Sequence, residues 1–71
     1  MKPEGIRTAL GHIVCFTNRK LYLDGVDYVF TGAIFRKDIK TGNFYYQAEL
    51  TDIKNAHSVI ICGLEDFEVV R

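Results

Sequence analysis

The fold is decided by residues 26–52, which read VDYVFTGAIFRKDIKTGNFYYQAELTD. Two arms of alternating apolar and polar residues flank the turn signature Lys40-Thr41-Gly42-Asn43, a pattern typical of a β-hairpin. The apolar positions of the second arm are Phe44, Tyr46, Ala48 and Leu50. Because successive side chains of a strand point to opposite faces, we expect these positions to face the core and the residues between them to face solvent.

The first arm of the hairpin contains Gly32, so the sequence does not fix which face of the sheet the side chains after Gly32 point to. Val26, Tyr28 and Phe30 point one way in a regular strand, and Gly32 then interrupts the run. A glycine inside a long strand often marks a β-bulge or a sharp bend. The facing of residues 33–37 therefore has two alternatives that differ by one residue.

Short strands are expected before this hairpin. Residues Ile6–Phe16 become rich in β-branched and aromatic types in their second half, which predicts a first strand that is bent or bulged at Gly11. Leu21–Leu23 leads into Asp24-Gly25, the signature of a type I′ turn, and predicts a short second strand.

The chain after the hairpin predicts two more strands. Ser58–Cys62 is a continuous apolar strand, Gly63–Asp66 is a single tight turn, and Phe67–Val70 is a short final strand. No segment of ten residues has a helical period, so we expect at most one helical turn near Leu64–Phe67.

Five or six short strands separated by turns predict an all-β fold, a small antiparallel barrel that forms a single domain over residues 1–71. The order of parts resembles that of an SH3-like barrel: a long central hairpin, a strand, and a single turn that leads into a short last strand. An OB-type barrel and an open antiparallel sheet are the alternatives. The resemblance concerns architecture only, because the chain has no tryptophan and its one proline is Pro3, so no proline-rich ligand is implied.

Size and charge restrict the function classes. A chain of 71 residues has room for one core, and a domain near this size buries only about 60% of its unfolded surface, so partnering would add to a marginal stability. Nine basic and nine acidic residues give a formal net charge of zero. This balance removes the long-range field that concentrates proteins on nucleic acids or anionic membranes.

Membrane and secretory segments are not expected. The start, Met1–Gly5, is not followed by the apolar run of a signal peptide. No apolar run is longer than the four residues of Val59–Cys62, against about 20 in a transmembrane helix. We therefore expect a cytoplasmic protein with no membrane partner.

Four soft-metal ligands, His12, Cys15, His57 and Cys62, have the right number for a tetrahedral zinc site. Their spacing argues against one, because the members of each sequence pair point to opposite faces of a regular strand. We predict no metal site and no cofactor. Both cysteines are interpreted as free, small apolar residues, with a disulfide as the alternative in an oxidising compartment.

No catalytic residues are predicted. Ser58 is the only serine and adjoins His57, but neighbours on a strand face opposite sides and cannot act as nucleophile and base. Glu65, Asp66 and Glu68 are interpreted as a solvated acidic face. We therefore expect that the protein is not an enzyme and that no small-molecule ligand is implied.

The candidate binding site comprises Phe35, Arg36, Lys37, Lys40 and Tyr45. If Gly32 does not shift the register, Phe35 and Tyr45 are neighbours across the outward face, with lysines beside them. The alternative is that a bulge turns Phe35 inward and leaves Tyr45 as a lone surface tyrosine.

Two functions follow from this site. The first is a small interaction module that binds a protein partner, or a second copy of itself, through an exposed strand edge or the aromatic hairpin face. The second is a single-stranded nucleic-acid-binding barrel that uses the basic and aromatic hairpin of residues 35–45. The neutral net charge favours the first.

Overall fold

The computed structural model describes residues 1–17 and 27–70. Within them are one short helix, α1 (Ile6–Ala9), and five strands, β1 (Ile13–Phe16), β2 (Asp27–Lys37), β3 (Phe44–Asp52), β4 (Asn55–Gly63) and β5 (Phe67–Val69). Single 3₁₀ turns lie at Pro3–Gly5 and Leu64–Asp66. The strand predicted at Leu21–Leu23 and the turn predicted at Asp24-Gly25 lie outside the described residues.

The strands form one antiparallel sheet in the order β4-β3-β2-β1-β5. Strands β2, β3 and β4 follow one another as a meander, whereas β5 returns to pair with β1 and places Val69 opposite Val14. The prediction of a small, mostly antiparallel β fold is confirmed. The described strands do not close into the predicted barrel, because β4 and β5 lie at opposite ends of the sheet and are not paired with each other.

The N-terminal segment is not the strand that was predicted over Ile6–Phe16. Pro3 begins a 3₁₀ turn that continues into α1, and only β1 is extended. Proline favours the first turn of a helix because its ring fixes φ and its missing N–H has no partner there. Ile6 and Ala9 lie on one face of this segment and are buried in the core. Gly11, with a φ of +87°, forms the turn into β1.

No helix in the described part of the chain is long and apolar enough to span a membrane.

The core is a single cluster that contains residues from α1, from all five strands and from the last 3₁₀ turn. Its buried members are Ile6, Ala9, Val14, Phe16, Tyr28, Phe30, Ala48, Leu50, Cys62, Leu64 and Phe67. Edge-to-face ring pairs join Phe16 to Tyr28 and Phe30 to Phe67, with centroid separations of 5.5 and 5.2 Å. Such pairs add to the stabilisation that area burial provides. Phe16, Phe30 and Phe67 are the largest of the fully buried side chains.

Of the two alternatives that the sequence leaves open for β2, the structure has the β-bulge. Phe30 lies opposite Leu50, but Gly32 lies opposite Glu49, so Thr31 is an extra residue in the ladder. The Thr31 hydroxyl donates a hydrogen bond to the Glu49 carboxylate at 2.9 Å. The one-residue shift moves the later odd-numbered side chains of β2 onto the face of the sheet that bears the core.

The turn between β2 and β3 forms where the sequence predicts it. The Asp38 N–H donates to the Asn43 carbonyl at 2.8 Å, and the Gly42 N–H donates to the Asp38 carbonyl at 2.7 Å. The Asp38 side chain accepts a further bond from the Lys40 N–H at 2.9 Å. Gly42 has a φ of +75°, which residues with a side chain rarely adopt, so glycine suits this position.

Truncation of a core side chain tests this description. Leu50 is fully buried, so Leu50→Ala should lower the free energy of unfolding by about 2–5 kcal/mol, because it removes buried methyl groups and leaves a cavity. Urea denaturation followed by circular dichroism measures the loss. The control is Ile39→Ala, since Ile39 is 98% exposed in the hairpin turn and its truncation should cost less than about 0.5 kcal/mol. Equal losses in the two variants would contradict the core described above.

Candidate functional site

Three aromatic side chains lie exposed together on the β2–β3 hairpin. Phe35, Phe44 and Tyr46 have exposed fractions of 61%, 62% and 37%. Phe35 of β2 lies opposite Tyr46 of β3, and Lys37 lies opposite Phe44. We call the surface formed by Phe35, Phe44 and Tyr46 the aromatic face.

The rings of the aromatic face contact one another. The Phe35 ring lies between the other two, with its centroid 5.2 Å from that of Phe44 and 5.0 Å from that of Tyr46. The Phe35 and Phe44 planes are inclined by only 18°, so these two rings are stacked. The centroid separations are those of favourable ring pairs, and the three side chains form one continuous apolar patch.

Strand length explains why this patch is exposed. The register of β1 on β2 ends at Val29, and that of β4 on β3 ends at Gln47. Beyond these positions, among the described strands, only β2 and β3 continue, as a two-stranded arm that extends past the core. The bulge at Thr31 sets the face of this arm on which Phe35 lies.

The hairpin that bears the aromatic face carries net positive charge, and Lys37 lies on the same side as the rings. The Lys37 ammonium lies 5.5 Å from the centroid of the Phe44 ring, which is a cation–π distance. Residues 35–45 contain three basic side chains, Arg36, Lys37 and Lys40, and one acidic side chain, Asp38. Three minus one gives the hairpin a charge of +2, and because the whole chain has zero net charge, the remainder carries −2.

The candidate residues divide between the two faces of the hairpin. Phe35 is exposed, but its cross-strand neighbour is Tyr46 rather than Tyr45. Tyr45 lies opposite Arg36 on the other face and is 42% exposed. Both sequence alternatives are therefore wrong in part: the bulge does turn Phe35 to the side of the core, yet Phe35 lies past the end of the core and stays in solvent. Lys40 lies in the turn.

Sequence reasoning missed two members of the aromatic face. Phe44 and Tyr46 continue the alternation of the buried Ala48 and Leu50, and for that reason they were expected in the core. The alternation correctly predicts which face of the sheet each side chain points to, but it does not predict whether that side chain is buried. A usable signal was the predicted strand Ser58–Cys62, which is too short to flank the whole of β3.

A cluster of metal-binding side chains is absent from the part of the chain that the structure describes. No group of three or more His, Cys, Asp or Glu side chains in residues 1–17 and 27–70 lies close enough to hold a metal ion. Asp66 has a structural contact, because its carboxylate accepts a hydrogen bond from the Gly63 N–H at 2.9 Å and caps the last 3₁₀ turn. His57 and Ser58 are both exposed on β4.

An open groove lies beside the N-terminal segment, away from the aromatic face. Its volume is about 440 Å³, and it is lined by Met1, Gly5, Thr8, Ala9, His12 and Val69. His12 is the one imidazole among these side chains, and no carboxylate or thiol accompanies it. The groove therefore has no acid–base pair of its own.

The two cysteines are free, as predicted. Cys62 belongs to the core, and burial raises the pKa of its thiol from the ordinary value of 9.0 to about 11. The nearby carboxylates of Asp66 and Glu65 add to this rise, because negative charges disfavour a thiolate. A thiol with so high a pKa is a poor nucleophile near neutral pH.

Comparison with known proteins gives no relative from which to draw a function. No protein-family model matches the chain, and neither does any curated protein or solved structure.

The raised pKa of Cys62 predicts a loss of stability in alkali. Between about pH 9 and pH 11 the unfolded chain loses the thiol proton while the folded chain keeps it. The contribution of Cys62 to the free energy of unfolding is therefore complete below pH 9 and falls as the pH rises. The difference in unfolding free energy between the wild type and Cys62→Ala should therefore narrow from about pH 8 to about pH 11. Urea denaturation at both pH values measures it. A difference that does not change with pH would contradict the raised pKa.

Proposed function

We propose that this protein is a small non-catalytic interaction module that binds a protein partner through its aromatic face. The observation that carries the proposal is the contact of three exposed rings on an arm that extends past the core. Contiguous exposed apolar surface commonly marks an interaction site, and aromatic side chains are enriched among the residues that dominate binding energy.

The aromatic face is organised before any partner arrives. The β2–β3 ladder and the hydrogen bonds of the Asp38–Asn43 turn hold its backbone, and the Phe35 ring packs against the rings on both sides. Less side-chain and loop entropy is then lost on association, which favours affinity.

The net charge of the hairpin favours a partner with acidic side chains. Arg36, Lys37 and Lys40 give the hairpin its local charge of +2. A complementary partner presents an apolar anchor to the rings and acidic side chains around that anchor, because opposed potentials at the rim speed association and exclude wrong partners.

For the fold, we propose an SH3-like arrangement. The support is the strand order, with β5 beside β1, and the single 3₁₀ turn between β4 and β5. With Pro3 as the only proline and no tryptophan in the chain, this arrangement does not bring a proline-rich ligand with it.

A single-stranded nucleic acid is the second candidate ligand. The observation that favours it is the combination of exposed rings with the Lys37 ammonium above Phe44. Unpaired bases stack on aromatic side chains while lysines contact phosphates. The zero net charge of the chain places this candidate second, because nucleic-acid binding draws much of its affinity from positive charge.

Affinity capture with paired variants tests the proposed function. The Phe35→Ala, Phe44→Ala double variant should lose at least about tenfold of each partner that the wild type captures from nuclease-treated native extract, because about 1.4 kcal/mol of binding energy corresponds to tenfold. Ile53→Ala with Val70→Ala is the matched control, since both residues are exposed apolar side chains outside the hairpin. Quantitative mass spectrometry measures recovery. Equal recovery by all three proteins would reject the aromatic face as the binding site.

Fluorescence anisotropy with a labelled single-stranded oligonucleotide tests the second candidate. Lys37→Glu with Lys40→Glu should abolish binding and its salt dependence if the hairpin contacts phosphates. Lys2→Glu with Lys54→Glu makes the same charge change at exposed lysines elsewhere. Binding that persists equally in both double variants would exclude the hairpin as a nucleic-acid site.

A further inference from the structure

The aromatic side chains of the described residues separate into a buried group and an exposed group. The buried rings belong to the core and are those of Phe16, Tyr28, Phe30 and Phe67. The exposed rings all lie on the two-stranded arm of residues 34–46 and are those of Phe35, Phe44, Tyr45 and Tyr46. The arm therefore carries a concentration of large apolar side chains that the core does not use.

Apolar side chains lie on both faces of the arm and at its tip. The aromatic face is on one side, and Tyr45, opposite Arg36, is 42% exposed on the other side. Ile39 is 98% exposed in the turn that forms the tip. A partner that contacts the aromatic face alone would leave Tyr45 and Ile39 in water, whereas a partner that surrounds the arm buries apolar surface on all three sides.

Basic side chains have the same distribution. Lys37 lies on the side of the aromatic face, Arg36 lies on the opposite face, and Lys40 lies in the turn at the tip. The carboxylate of Asp38, the acidic residue of the arm, accepts a hydrogen bond from the Lys40 N–H at 2.9 Å within the turn. Acidic side chains of a partner would therefore find a basic side chain on each side of the arm.

We propose that the partner is a folded protein that encloses the arm in an apolar cleft with acidic side chains around its rim. Apolar walls bury Phe35, Tyr45 and Ile39 together, and carboxylates at the rim complement the basic side chains between them. The inference rests on the proposed function, which assigns the aromatic face only, and it extends the contact to the opposite face and the tip.

The charges of the arm argue against other occupants that would surround it. Two arms packed against each other would bring together two local charges of +2, which is unfavourable. A bilayer would receive the tip first, and the Lys40 ammonium beside Ile39 would have to leave water, which costs free energy. A cleft with an acidic rim meets neither cost.

Affinity capture from nuclease-treated native extract tests the enclosure with truncations outside the aromatic face. Tyr45→Ala and Ile39→Ala should each lower the recovery of every protein that depends on the aromatic face at least about tenfold, because each removes a buried apolar contact. Val59→Ala is the control for Tyr45→Ala, since Val59 is half exposed on the same face of the sheet outside the arm. Ile53→Ala is the control for Ile39→Ala, since Ile53 lies half exposed in the β3–β4 turn. Both controls should keep the recovery of the wild type.

Charge reversal tests the acidic rim in the same assay. Arg36→Glu should lower recovery at least about tenfold, because it places a carboxylate against carboxylates of the partner. Arg7→Glu makes the same change at an exposed arginine of α1 and should leave recovery unchanged. Equal recovery of the two variants would reject the acidic rim.

Hydroxyl-radical footprinting of the wild type tests the enclosure without any substitution. The captured protein is identified by mass spectrometry, purified and mixed with the full chain, and the oxidation of each side chain is compared with that in the free chain. Oxidation of Phe35, Ile39 and Tyr45 should fall together in the complex, while that of Ile53 should not change. Protection of Phe35 alone would reject the cleft.

The outcomes separate this inference from the proposed function. If Phe35→Ala with Phe44→Ala lowers recovery but Tyr45→Ala and Ile39→Ala do not, the enclosing cleft is rejected and the proposed function stands. If the wild type captures no protein, or if no variant changes recovery, both are rejected. Two further results would overturn the cleft: sedimentation of the wild type with vesicles of phosphatidylcholine and phosphatidylserine that Ile39→Ala abolishes, and a dimer of the purified chain that Tyr45→Ala dissociates.

Discussion

The extra residue at Thr31 is the constraint on which the rest of the hairpin depends. On its near side, β2 places Phe30 in the core, and on its far side the register has moved by one residue. The Thr31 hydroxyl lies within hydrogen-bond distance of both the Glu49 carboxylate and the Thr51 hydroxyl, and these contacts tie the bulge to β3. Without the shift Phe35 would point away from Tyr46, and the aromatic face could not form.

The core does not extend far enough along the sheet to bury the rings of the aromatic face. Its members come from α1, the strands and one turn, and none of them lies between Phe30 and Ala48. The arm that carries Phe35 and Phe44 therefore places large apolar side chains where they gain little from burial in the chain's own core. Exposed apolar surface of this kind commonly marks an interaction site, which supports the proposed function.

Sequence reasoning recovered the local features of the fold and missed the features that depend on distant segments. The alternation of β3 and the Asp38–Asn43 turn each follow from a few adjacent residues, whereas Gly32 left a bulge and a regular strand as alternatives. The helical turn of α1 is too short to show a period. Of the aromatic face, Phe35 could be proposed from sequence. The exposure of Phe44 and Tyr46 depends on where β1 and β4 stop, which the sequence indicates only through the shortness of the predicted strand Ser58–Cys62.

The pairing of β5 with β1 has a kinetic consequence. Strands β2, β3 and β4 contact their neighbours in sequence, whereas the pairing of Val14 with Val69 must close a loop that spans most of the chain. Loop-closure entropy delays such distant contacts relative to local hairpins. We expect the meander to form early and the β1–β5 pairing to complete the core late. The arm that bears Phe35 would then reach its native structure before the β1–β5 pairing completes the core. Its folding would be largely independent of the N-terminal and C-terminal segments.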